Sequence, residues 1–568
     1  MSEEAHLDYL AAALVDRGLI TQNQLREAKE EHERTGRPMG HILVDFGFVK
    51  DQDIMETLAN ELGMESINLK ELEIPPEIIK IVTPSSAKLY GIVPIKVKDG
   101  VVSVAMTDPL NPNILDDLTF LLGREVKGVL ANEADILAAI EKYYGQQDES
   151  IEALLGEMLD SDVAEIVSEG DDGVDIASLQ ELAREVPVVK LLNLILIQAI
   201  KDRASDIHFE PFGREFKVRY RIDGALYEMV PPPKHLALAV TTRIKVMADM
   251  NIAERRLPQD GRIQLNVLGR NVDLRVSTLP TQFGESVVMR VLDKTVVALD
   301  LYQLGINRDH LQVIEEMIER PNGIIIVTGP TGSGKTTTLY SCLKKINNIE
   351  DKVITTEDPI EYEIEGIMQI AIRQEIGLTF ARCLRAILRQ DPDIIMVGEV
   401  RDIETAQISI QASLTGHLVF TTLHTNDAPG CVTRLIDMGV EPFLIISTLV
   451  AVLAQRLVRK VCPDCKEPVN ITSELLERLG ISAEDVKGVQ FFQGKGCASC
   501  NKTGYKGRCA IMELLELKDP VRELILEKAP TSVIKQKARE LGMRTLREDA
   551  LLKLYAGLTT AEEILRET

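Results

Sequence analysis

The sequence predicts an α/β protein of several domains, and three observations carry that expectation. An apolar run, GIIIVT, passes directly into the glycine-rich GPTGSGK and then into the helix-forming TTTLYSCL. Two further apolar runs, VITT and DIIMV, lead into carboxylates, as strands of a parallel sheet do when they deliver polar groups to one edge. The length, 568 residues, exceeds what one hydrophobic core supports.

Bulk properties narrow the class. Hydrophobic residues make up 45% and charged residues 27%, the balance of a soluble globular chain. The net charge of −24 repels phosphate backbones and argues against general nucleic-acid binding. The most apolar stretch, Val188 to Ile200, is interrupted by Lys190, Asn193 and Gln198, so no membrane span is expected. The N-terminus, MSEEAHLDYL, has no basic region ahead of an apolar one, so no secretory signal is expected and the location predicted is cytoplasmic.

Four segments follow in order. Residues 1–145 form a first module in which Leu14, Gly18 and Leu25 recur as Leu43, Gly47 and Ile54, a duplicated helical unit. Its later part carries two strand-like runs, IVPIKV and VVSVAM, and the turn-rich MTDPLNP. Residues 146–182 are acidic and poor in aromatics, the composition of a flexible linker. Residues 183–303 open with an apolar helix, VVKLLNLILIQAI, followed by the strands IHFEPF, FKVRYRI, NVDLRVSTL and SVVMRVL. Residues 304–568 hold the phosphate motif and, at about 461–511, a cysteine-bearing insertion.

Gly329-Pro330-Thr331-Gly332-Ser333-Gly334-Lys335-Thr336 fits GxxxxGKT, with a strand before it and a helix from Thr337 after it. Such a loop wraps backbone N–H groups around phosphates at a helix N-terminus; Lys335 neutralises phosphate oxygens and the Thr336 hydroxyl ligates Mg²⁺. Carboxylates to serve that site come from TTEDPIEY, with Glu357, Asp358 and Glu361, and from DIIMVGE, which ends in Glu399. The latter departs from the usual strand-end pattern by having Gly398 where an aspartate is common. A further strand, TGHLVFTTLHTN, ends near His424, a candidate sensor of the terminal phosphate; for His417 in the same run a purely structural role competes evenly.

Cys462-Pro463-Asp464-Cys465 and Cys497-Ala498-Ser499-Cys500 form two CxxC knuckles separated by 31 residues. Four thiolates suit a closed, structural Zn²⁺ site, and a gap of that length implies an element between the knuckles. Redox chemistry at CxxC and unliganded thiols are the competing readings.

Taken in order, GPTGSGKTTTLY, TTEDPIEY, LRAILRQDPDIIMVGEVRD, TGHLVFTTLHTND, the two knuckles and GMRTLREDALLKLYAGLTTAEEIL resemble the secretion ATPases of type II secretion and type IV pilus systems, the GspE and PilB group. SDIHFEP, VRYRIDG and LPQDGRI extend the resemblance upstream. It implies a RecA-like ATPase domain with a zinc insertion, a preceding PAS-like α+β domain and an N-terminal module of MshEN type. It also implies roles: Glu361 activates the attacking water, Glu399 acts on Mg²⁺, and His424 is the histidine of the fourth motif. By the same resemblance Arg275 and Arg290 reach phosphates from the preceding domain, Arg385 and Arg389 lie near subunit contacts, and the nucleotide is held by residues 329–337, Thr337 included. The implied partners are five further copies in a ring, an inner-membrane platform protein and a cytoplasmic docking protein. The long N-terminal module and the knuckles favour extension or secretion over retraction, with pilus assembly ahead of type II secretion and a nucleic-acid motor as the rival from another class. MshEN repeats bind cyclic di-GMP through RLGxxLxxxG; here the second unit, Pro38 to Gly47, has proline at the arginine position, with Arg37 one residue earlier, and the first, Tyr9 to Gly18, has no RLG. Partner docking is therefore expected of this module ahead of dinucleotide binding.

Overall fold

The computed structural model describes residues 19–35, 65–107, 112–145, 186–267, 270–293, 300–482 and 486–568, with separate positions elsewhere between 14 and 59. The chain divides into two compact units, Met1–Val296 and Val297–Thr568.

Among its described residues the first unit holds two sheets. In the smaller, β1 (Val93–Lys98) runs antiparallel to β2 (Val101–Met106), which pairs in parallel with β3 (Val126–Leu130). Asp99 and Gly100 both take positive φ between β1 and β2, the two-residue Asp-Gly turn whose twist matches a hairpin. The larger sheet comprises β4 (Asp206–Pro211), β5 (Phe216–Ile222), β6 (Ala225–Glu228), β7 (Gln259–Val267), β8 (Arg270–Thr281) and β9 (Gly284–Asp293), in the order β6-β5-β4-β9-β8-β7. The expected apolar helix spans Val186–Lys201.

The sequence separates residues 1–145 from residues 183–303. In the structure one continuous apolar core runs from Leu69 to Met289 and includes Val104, Tyr144, Leu192, Phe216 and Val287. Arg243, 4% exposed, donates to Asp117 Oδ2 at 2.7 Å across the same boundary. The expected linker at 146–182 and the MshEN-type positions Tyr9, Gly18, Arg37 and Pro38 lie outside the described residues. Of the duplicated unit, Leu14 and Leu43 meet in one small cluster with Ile20, Ala28, Ile42 and Val49. Among the described residues no helix is long and apolar enough to cross a membrane.

The second unit is built on a seven-stranded sheet in the order β12-β11-β13-β14-β10-β15-β18. Its strands are β10 (Gly323–Thr328), β11 (Val353–Glu357), β12 (Met368–Ala371), β13 (Ile394–Val397), β14 (Leu418–Leu423), β15 (Leu449–Val461) and β18 (Tyr505–Glu516). All neighbours are parallel except β15 and β18. The central strands are apolar throughout because both faces are covered: Ile324 and Ile326 enter one core, Ile325 and Val327 the other. Between β15 and β18 lies the insertion, in which β16 (Lys466–Val469) pairs with β17 (Phe491–Gly494) and a helix spans Ser473–Leu479.

Four helices matter below, labelled in chain order: α1 (Lys335–Ile346), α2 (Phe380–Ile387), α3 (Ala428–Asp437) and α4 (Thr531–Glu540). A parallel sheet delivers the ends of its strands to one edge. That edge receives the phosphate loop after β10, Glu357 at the end of β11, Glu399 after β13 and His424 after β14.

Candidate active site

The loop from Gly329 to Gly334 links β10 to α1. Gly329 has φ of 148°, and a Cβ there would come 2.5 Å from the Gln455 carbonyl oxygen, so glycine is dictated by both backbone and space. Pro330, Thr331, Gly332 and Thr336 are exposed and Thr337 is half-buried, whereas Ser333 is buried. The Lys335 ammonium donates to the carbonyls of Gly329 at 2.9 Å and Pro330 at 3.0 Å, inside the curl of the loop. Burial pulls its pKa below that of an ordinary lysine, and the Glu399 carboxylate opposes the shift.

Glu399, 13% exposed, faces His424 Nε2 at 3.4 Å and Arg401 Nη2 at 2.5 Å. The structure thus brings Glu399 and His424 together, with Glu399 close enough for its charge to act on Lys335. His417 is held elsewhere, its Nδ1 at 2.8 Å from the Ala412 carbonyl.

The three acids after β11 separate by environment. Glu357 is buried and saturated: Oε1 accepts from Thr355 Oγ1 at 2.6 Å and Gln369 Nε2 at 3.0 Å, and Oε2 accepts from Tyr340. Asp358 is exposed. Glu361 is half-buried, and its backbone N–H donates to Tyr340 Oη at 3.4 Å. Tyr340 therefore ties the acidic loop to α1, and its own pKa is pushed up, first by burial and then by Glu357.

Of the four arginines singled out in the sequence, two belong to this unit and two to the other. Arg385 and Arg389 are exposed on and after α2, where Arg385 pairs with Glu404 and Arg389 Nη1 donates to the Arg385 carbonyl at 2.7 Å. Arg275 and Arg290 belong to the first unit, directly opposite each other on β8 and β9, with Arg290 Nε at 3.1 Å from Asp206 Oδ1.

Sequence reasoning passes over Gln455. Its Nε2 donates to the Ser333 carbonyl at 2.8 Å, and its Oε1 accepts from Thr338 Oγ1 at 2.7 Å, so it buttresses the phosphate loop from β15. The available signal is a single glutamine within the apolar run LVAVLAQRLV, 2% exposed. A polar side chain so placed needs internal partners.

The cysteines converge. Their four Sγ atoms lie within 4.8 Å of one another, with Cys462–Cys497 at 3.9 Å, Cys465–Cys500 at 3.8 Å and Cys497–Cys500 at 3.7 Å. A Zn–S bond of about 2.3 Å in a tetrahedron gives S–S edges of about 3.8 Å, so the thiols fit zinc. Burial raises the Cys462 and Cys465 thiols, whereas at Cys500 the N–H groups of Cys497 and Gly504, together with the Cys497 and Cys465 thiols, outweigh burial and lower the pKa. The hairpin and helix between the knuckles are the element implied by the long gap. Replacing Cys462 or Cys497 by alanine is expected to release stoichiometric zinc and lower the melting temperature, with ATP binding largely intact. Metal analysis and calorimetry check this, and full zinc retention contradicts it.

Residues 181–566 match the model described as type II/IV secretion system protein. The chain is 46% identical over 561 residues to the type IV pilus assembly ATPase PilB of Myxococcus xanthus, covering 98% of both chains. The chain belongs to the type II/IV secretion system protein family. As a member of this ATPase family it is an ATP-hydrolysing enzyme. It is 44% identical over 98% of both chains to type II secretion system protein E of Xanthomonas campestris, and 45% identical to the type II secretion system ATPase E of Vibrio cholerae over 82% of this chain and 92% of that one. An MshEN domain model matches residues 62–150, the strand-bearing part of the N-terminal module, and leaves the repeat positions between Tyr9 and Gly47 outside it.

Proposed function

We propose that this protein is the hexameric, cytoplasmic ATPase motor of type IV pilus assembly, acting on an inner-membrane platform protein. The observation that carries the hydrolytic part is the meeting of Glu399 with His424 at the sheet edge that also presents Lys335. Loop amides from Gly329 to Thr337 and the Lys335 ammonium hold the β- and γ-phosphates. Thr336 and Glu399 would hold Mg²⁺, which supplies charge neutralisation to the transferring phosphoryl group. Glu361 accepts a proton from the attacking water, and His424 lies beside Glu399 on the same edge. The four cysteines would keep a structural zinc in the insertion.

The pilus branch is supported by the full-length match to the Myxococcus protein, and type II secretion by the Xanthomonas match of equal coverage. Both relatives span the N-terminal region, which in this reading docks a partner. The branches are separated by titrating the full-length chain with cytoplasmic domains of pilus and secretion platform proteins while following binding and ATP turnover. The pilus protein is expected to bind and stimulate; tight binding to the secretion platform alone overturns the reading.

A further inference from the structure

The turn that carries His424 is fixed by side chains from four other elements. The Thr425 N–H donates to Thr328 Oγ1, at the end of β10, at 2.9 Å. Arg456 Nη2, from β15, donates to the Asn426 carbonyl at 3.2 Å. The Ala428 N–H donates to Glu513 Oε1, from β18, at 2.9 Å. Lys535 Nζ, from α4, donates to Asp427 Oδ2 at 2.8 Å. Asp427 itself caps α3, its Oδ1 accepting from the Gly430 N–H at 3.0 Å.

Glu513 gives this arrangement its cost. It is 1% exposed, and a carboxylate so deep is unfavourable unless it is compensated. The Lys535 ammonium lies 3.6 Å from Glu513 Oε2 as well as on Asp427, so one cation from α4 serves two acids. Burial raises the Glu513 pKa, and the Ala428 N–H and Lys535 oppose it. Thr433 and Thr531 join α3 to α4 a second time, Oγ1 to Oγ1, at 2.7 Å. Among the described contacts, the phosphate loop and Lys335 are held by β15 and their own carbonyls, not by α4.

From this we infer that Lys535 is a positioning residue for ATP hydrolysis: it pins the 424–428 turn from the C-terminal helices, so that His424 stays against Glu399. The inference rests on the reading of Glu399 and His424 as part of the hydrolytic site. Through the same bond, a shift of α4 changes turnover without touching nucleotide.

Lys535→Met in the full-length chain keeps the aliphatic stem and removes the charge. Its kcat is expected to fall about ten-fold or more, since misplacement of about 1 Å at a reacting centre has that scale. KM for ATP should stay within about two-fold, the signature of an interaction outside ground-state binding. Lys535→Arg should restore most of kcat. Asp427→Asn retains the cap through its amide oxygen and loses the ion pair. The double variant Asp427→Asn with Lys535→Met should be no slower than Lys535→Met alone. Wild-type kcat in Lys535→Met overturns the inference, as does strict additivity in the double variant. If Lys535→Met does not fold, Asp427→Asn decides alone, with wild-type kcat overturning the inference. A parallel Lys335→Ala separates the two failures: if it is dead while Lys535→Met is unimpaired, only this inference falls; if it turns over normally, the site itself is misassigned.

Discussion

Lys335→Ala is expected to abolish ATP turnover and weaken nucleotide binding by at least about ten-fold, the loss of one good charge-assisted contact. The reason lies in where the ammonium sits. It is nine-tenths buried inside the loop, already desolvated, and bonded to the carbonyls of Gly329 and Pro330. Those bonds are weak competitors for a phosphate oxygen, so the cation exchanges them for the β- and γ-phosphates at little reorganisation cost. Alanine leaves both the carbonyls and the phosphate charge without it. Gln455 still braces Ser333 and Thr338, so the fold of the loop should survive. Fluorescent-nucleotide titration and phosphate release check both halves of the expectation, and near-normal turnover contradicts it.

Glu361→Gln should separate binding from chemistry. The amide keeps the size and the backbone bond to Tyr340, but it cannot take a proton, and removal of a general base costs about 10²–10⁴-fold in rate. ATP affinity should be close to wild type, because the phosphate loop is untouched. A single-turnover experiment with pre-bound ATP reads the chemical step directly. Glu357, the nearby acid in the same motif, is not an alternative base: Thr355, Gln369 and Tyr340 already occupy its oxygens. If Glu361→Gln hydrolyses ATP at the wild-type rate, the role passes to Glu399.

The sequence shows most clearly what is local. GIIIVTGPTGSGK contains its own strand, turn and helix start, and the cysteine spacing contains its own ligand set. Beyond strands β3, β15 and β18, which the sequence reading also does not name, two kinds of feature escape it for physical reasons. Strands β6, β7 and β12 lie at sheet edges, where one side has no neighbour and polar residues are tolerated, so QDGRIQLNV does not read as a strand. The supports of the site come from far along the chain: Gln455 reaches Ser333 across 122 positions and Lys535 reaches Asp427 across 108. No periodicity encodes such pairings. The continuous core from Leu69 to Met289 is of the same sort, since the acidic composition of 146–182 suggests separation while the apolar faces on either side of it find each other.

Phosphate release from ATP by the full-length chain, measured with magnesium present and with magnesium chelated, beside Lys335→Ala, tests the central claim most directly. Magnesium-dependent turnover in the wild type and none in the variant is the result this account predicts. Turnover that persists in Lys335→Ala, or a wild-type chain that binds ATP without releasing phosphate, would contradict it.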